Sequence, residues 1–253
     1  MVRPFESGHT MRVAASARPI GHAVATLGVS DRISFLRKTY AHLGIALIAF
    51  AMIAGGMMRF VPEISWGFSK WALTGRWTWL LVLGMFMLVG HVAERLARSD
   101  TSRALQYVGL GIAVAAQGLL LQPLLWVLMM KFAGASAVAI LTQAIVITLA
   151  IFVGLTLTVF LTKKDFSFLR GALVVASFGA LGVIVASIAF GFSLGAIFAG
   201  AMILLMAGYI LYQTSLVMAQ FSPTAHVAAS LMLFSTVATL FWYVVQLLMS
   251  LRR

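Results

Sequence analysis

The sequence predicts an all-α integral membrane protein, a bundle of seven transmembrane helices with its N-terminus in the cytoplasm. Three observations carry this. First, 62% of the 253 residues are hydrophobic and only 9% charged, with a mean hydropathy of +1.04. A soluble domain carries roughly 25% charged residues because water must solvate its surface, so the lipid bilayer is the expected solvent here. Second, the apolar runs are long and unbroken, as in 105–130 and 136–161. A membrane barrel would show short segments of alternating polarity instead. A helical span needs roughly 20 apolar residues to cross a hydrocarbon core about 30 Å thick. Third, the basic residues gather at the ends of these runs.

In chain order, residues 1–34 are polar, small and Arg-bearing, with Pro4 and Pro19 and no apolar stretch of the signal-peptide kind. They read as a disordered basic cytoplasmic tail, although an Arg-rich, acid-poor N-terminus also resembles an organellar transit peptide. Residues 35–253 form the seven-helix transmembrane domain. From Ser30, a candidate N-cap, Asp31–Tyr40 reads as an amphipathic lead-in that sets Ile33, Phe35 and Leu36 against Arg32, Arg37 and Lys38. The expected spans are 41–58, 77–94, 105–130, 136–161, 170–191, 194–218 and 225–250. Pro123 should kink the third or divide it into a span and a re-entrant piece. Trp66, Trp71, Trp77 and Trp79 cluster around the first loop, as in an interfacial aromatic belt. Gly171, Gly179, Gly182, Gly195, Gly200 and Gly208 on the later spans suggest close helix packing.

Orientation follows from the cations. With the N-terminus inside, twelve Lys and Arg residues fall on the cytoplasmic side, among them Arg37, Lys38, Arg95, Lys163 and Lys164, against six outside. The terminal Arg252-Arg253 pair pulls mildly the other way and raises the expectation that the last segment does not cross fully. The net charge of +12 could suggest nucleic acid, but the cations cap apolar runs and do not form a patch interleaved with aromatics. The lipid bilayer is the expected partner, and nucleic acid is not.

Candidate chemistry is sparse. Cys is absent, which removes disulfides and thiolate metal sites. All six acids, Glu6, Asp31, Glu63, Glu94, Asp100 and Asp165, fall in tails, loops or span ends. Acid-based ion pathways place a carboxylate near mid-membrane. Gly191-Phe192-Ser193-Leu194-Gly195 matches G-x-S-x-G, but no strand precedes it and glycines between two helices explain it. His42, His91 and His226 are lone histidines near span ends, without metal-ligand spacing. His91 beside Glu94 and Arg95 forms a candidate cytoplasmic-side polar cluster able to sense pH. Gln117, Gln122, Gln143, Gln213 and Gln246 are expected to be buried amides that need partners across the bundle. No catalytic residue, cofactor site or metal site is expected.

The run Leu161-Thr162-Lys163-Lys164-Asp165-Phe166-Ser167-Phe168-Leu169 resembles the T-K-K-D-[FL]-S-F-L signature of the Bax inhibitor membrane protein family, which includes bacterial YccA. Phe35-Leu36-Arg37-Lys38-Thr39-Tyr40, Tyr212-Gln213-Thr214-Ser215 and Leu240-Phe241 support the resemblance, which spans about residues 34–250. It implies a bundle whose last helix is central, wrapped by three antiparallel pairs. Some members are pH-sensitive calcium leaks gated by two aspartates, one in each of the last two spans, because two carboxylates sharing a site cannot both ionise cheaply. The equivalent positions here are Gln213 and Thr236, and neither titrates near neutral pH.

The pattern [acid or amide]-Thr-Ser at Gln213-Thr214-Ser215, with the Thr236 hydroxyl at the second position, looks closer to the YccA branch. That branch is associated with restraining the membrane-anchored AAA protease FtsH. The resemblance therefore implies a non-enzymatic regulator in a bacterial inner membrane, possessing a membrane-bound AAA protease as its partner. The alternative is a calcium or other cation leak whose gate no longer titrates. A hydrolase built on Ser193 is a third class with little behind it.

Overall fold

The computed structural model describes residues 28–99, 102–132 and 134–252, and no strand occurs among the described residues. The helices are α1 (Val29–Phe60), α2 (Pro62–Ala72), α3 (Arg76–Ala97), α4 (Arg103–Lys131), α5 (Ala135–Thr162), α6 (Leu169–Phe190), α7 (Gly195–Ala219) and α8 (His226–Leu251). All but α2 are long and apolar enough to cross a membrane, and the protein is a multi-pass membrane protein. Large apolar side chains point outward along the spans, for example Ile197, Leu204, Val175 and Phe178. Lipid is the only solvent that covers such a surface without penalty.

The last helix is the hub. α8 packs against α1, α3, α4, α5 and α7 and buries residues on every face, including Val227, Leu233, Phe234, Leu240 and Val245. α6 lies at the periphery, touching α7 and α3, with Leu173 its one fully buried residue. Aromatic rings seal α1 onto the hub, where Phe50 meets Phe234 and Phe241 edge-on at 5.9 and 6.3 Å.

Several details depart from the expectations. α1 begins at Val29, before the expected first span, and absorbs the lead-in into one 32-residue helix about 48 Å long at 1.5 Å per residue. Its N-cap is Gly28, so Ser30 lies inside the helix and caps nothing. Residues 1–27 of the expected tail lie outside the described residues, and 29–34 are helical. α8 runs uninterrupted for 26 residues, long enough to cross fully.

The first loop holds a helix, α2, that was not expected. It buries Ser65, Ser69 and Ala72 and turns Ile64, Trp66 and Trp71 outward. Its polar face docks on α4. Ser65 Oγ donates to Gln122 Oε1 at 2.6 Å and accepts from Trp126 Nε1 at 2.8 Å. Gln122 Nε2 donates to Gly118 O on its own helix and to Ala54 O on α1. These bonds surround Pro123, and α4 passes through it as one continuous helix. Tertiary packing here overrides the division expected of a mid-helix proline. Trp66 packs on Trp126, and Trp79 stacks on Trp242 of α8, so two of the four tryptophans join helices and are not simply a belt.

The glycines also need correcting. A Cβ added at Gly171, Gly179, Gly182, Gly195 or Gly200 would meet nothing within 4 Å, so these residues do not mark close packing within the chain. Gly208 does, against Leu173. The closest approaches lie elsewhere. At Gly109 a Cβ would fall 2.5 Å from Ala93 O, and at Gly118 it would fall 2.6 Å from Ile53 Cγ2. These two glycines seat α4 on α3 and α1.

Candidate functional site

The up-and-down topology of α7 and α8 sets Gln213 opposite Thr236. Thr236 Oγ1 donates to Gln213 Oε1 at 2.8 Å, and it also leans on Met232 O, one turn back, at 3.3 Å. Both residues are buried, at 8% and 7% exposure, in the seam between the hub and its neighbour. An amide–hydroxyl pair in this position can hold two helices together, but it cannot exchange a proton near neutral pH.

Two hollows open along the same seam, one on each side of this bond. Towards the end that holds the starts of α1 and α8, a cleft of about 300 Å³ is lined by Arg98, Leu216, Gln220, Ser222 and Ala228. Towards the opposite end, a cavity of about 210 Å³ is lined by Trp79, Gln117, Phe198, Thr239, Trp242 and Gln246. Leu216 stands one turn beyond Gln213 on α7, and Thr239 one turn beyond Thr236 on α8. The hydrogen-bonded pair therefore separates a half-polar cleft from a largely apolar one.

The loop from Lys163 to Phe168 braces α7 just beyond this pair. Lys163 ends α5 in the left-handed conformation with φ of 51°. Asp165 then folds the turn, its two carboxylate oxygens accepting from Ser167 N and Ser167 Oγ, each at 2.8 Å. Phe166 N donates to Ser215 Oγ at 3.3 Å. The loop is thus tied to α7 two residues from Gln213, a link that nothing in its sequence signals.

The candidate polar cluster is arranged differently. Glu94 pairs with Arg98, one turn on, accepting from Nη2 at 2.7 Å and from Nε at 3.0 Å, with both side chains about half exposed. Arg95 and His91 are exposed and stand outside this pair. The other two histidines, lone in sequence, come together. The His42 and His226 rings lie 5.0 Å apart, and His42 Nε2 meets Tyr107 OH at 3.0 Å. His226 opens α8 and His42 opens the expected first span within the longer α1, both at the same end of the bundle, and with the expected topology that shared end was the available signal. No group of three or more His, Cys, Asp or Glu able to hold a metal occurs among the described residues.

Of the five amides, Gln122, Gln117 and Gln213 are buried and Gln246 is half-buried. Gln143 is exposed, where it accepts from Arg252 Nη2 at 2.7 Å, so its expected burial is corrected. Ser193 sits exposed in the α6–α7 loop. Gly191 and Gly195 adopt positive φ there, which accounts for the glycine pattern without chemistry.

A family model described as "Inhibitor of apoptosis-promoting Bax1" matches residues 32–253. Bax inhibitor 1 of Schizosaccharomyces pombe is 32% identical over 230 residues, covering 89% of this chain and 79% of that protein. No solved structure matches.

Proposed function

Since the chain belongs to the Bax inhibitor family, we propose that it is a non-enzymatic membrane regulator whose core is held shut by a bond that does not titrate. It acts through contacts with a partner in the same membrane. The observation that carries this reading is the Thr236–Gln213 hydrogen bond. Where some relatives have two carboxylates able to release a proton and separate, this seam has an amide and a hydroxyl. With proton gating removed, we favour recognition of another protein as the use of this bundle.

The partner we propose is a membrane-anchored AAA protease of the FtsH type, in a bacterial inner membrane with the N-terminus in the cytoplasm. Support comes from the likeness of Tyr212-Gln213-Thr214-Ser215 to the YccA branch and from the excess of cations on the segments assigned to the inside. In-membrane crosslinking followed by affinity capture should recover a protease subunit, and deleting the protein should speed turnover of that protease's membrane substrates. Capture without any protease subunit, together with unchanged turnover, would remove the proposal.

A second reading has its own observation. The hollows on either side of the pair resemble two vestibules of a closed path, which favours a calcium or other cation leak that opens by separation of α7 from α8. Calcium entry into dye-loaded liposomes above that of protein-free vesicles would establish it.

A further inference from the structure

Four glutamines are buried, and three of them are bonded through their side chains. Gln106 donates to Ser99 O, Gln122 accepts from Ser65, and Gln213 accepts from Thr236. Gln117 is the exception. It stands midway along α4 at 9% exposure, and its amide bonds to no protein group among the described residues. It faces the cavity of about 210 Å³ instead, together with Gln246. Aromatic rings from α3, α7 and α8 wall that cavity. Trp79 and Trp242 lie nearly parallel, 21° apart, with centroids at 6.2 Å, and Phe198 meets Tyr243 edge-on at 6.0 Å. No Asp, Glu, His, Lys or Arg lines it.

A buried amide without a partner is costly, so an occupant of this cavity has to bring a hydrogen-bonding group to Gln117. With no charge on the walls, a bound ion would stay uncompensated, and a neutral occupant fits better. Aromatic walls favour an aromatic occupant, because paired rings attract beyond the area they bury. Space is sufficient, since an apolar cavity of about 150 Å³ already admits benzene. We propose that this cavity is a binding site for a neutral aromatic molecule of one or two rings that carries a hydroxyl or a ring N–H, as phenols and indoles do. Gln117 Oε1 accepts the polar hydrogen, and the ring packs on the aromatic walls. The site goes beyond the regulator reading and stands whether or not the bundle engages a protease.

The test uses the full chain in lipid nanodiscs and two probes, 4-bromophenol and bromobenzene. Bromine quenches tryptophan emission on contact, so Trp79 and Trp242 report occupancy. The two probes share a ring and a bromine, and only the first has a hydroxyl. Quenching by 4-bromophenol should saturate, and bromobenzene should need a concentration about tenfold higher, the worth of one hydrogen bond. Gln117→Leu should weaken 4-bromophenol about tenfold and leave bromobenzene as tight or tighter. An unfolded variant would lose both probes, so this split separates the lost bond from lost structure. Quenching that rises without saturating overturns the site and leaves the cavity to water. Equal saturation by both probes, or the same loss of both in Gln117→Leu, overturns the role of the amide.

Discussion

Gln213 and Thr236 lie 23 residues apart in sequence and 2.8 Å apart in space. Hydrogen bonds between helices in lipid contribute modestly, about 0.6 kcal/mol on average and up to about 1.7, because the separated helices find other partners. A double-mutant cycle with Gln213→Leu and Thr236→Val should therefore give a coupling energy of about 0.6–2 kcal/mol by unfolding in bilayers; a coupling indistinguishable from zero would mean the pair holds nothing. The pairing of these two residues was legible only through the resemblance to acid-bearing relatives, since an amide in an apolar helix demands a partner without naming it. Gln122 shows the same boundary from the other side. Physics demanded a partner for it, but could not say that Ser65 on an unforeseen helix would be that partner.

α2 escaped the sequence reading because its amphipathic pattern is inverted. In water a helix hides its apolar face, whereas α2 buries Ser65 and Ser69 and leaves Ile64 and Trp71 outside, an arrangement suited to a lipid surround. Ser65→Ala should leave Gln122 Oε1 without its donor and Trp126 Nε1 without its acceptor. The expected cost is about 1–3 kcal/mol, seen as faster amide exchange across Pro62–Ala72; unchanged exchange would mean that α2 is held by its aromatic contacts alone. Glycine counting failed for a related reason, since sequence shows small residues but not which ones face a neighbour. Gly109→Ala should cost about 1–3 kcal/mol by forcing α4 off α3, because its Cβ would fall 2.5 Å from a backbone oxygen. Gly171→Ala should be neutral or stabilising by up to about 1 kcal/mol, since nothing stands within 4 Å. Thermal unfolding of the two variants side by side checks both, and equal effects would contradict the packing described.

The seven spans and the class of the bundle followed from hydropathy and charge because a bilayer imposes length and polarity on every crossing segment. The central position of α8 came through family likeness, and its contacts with five other helices give that likeness a physical form. Function was the least legible, because it turns on whether two helices around one hydrogen bond can separate. Calcium flux into dye-loaded liposomes at pH 6 and pH 8 tests this most directly, comparing the natural chain with the double variant Gln213→Asp, Thr236→Asp. In the variant, one carboxyl of the pair is held protonated by its charged neighbour; as pH rises through that raised pKa the second charge appears, the seam is pushed apart, and flux increases. A shut, non-titrating seam predicts flux near that of protein-free vesicles at both pH values in the natural chain, with a rise towards pH 8 appearing only in the variant. Strong flux in the natural chain that changes with pH as steeply as in the variant would contradict it.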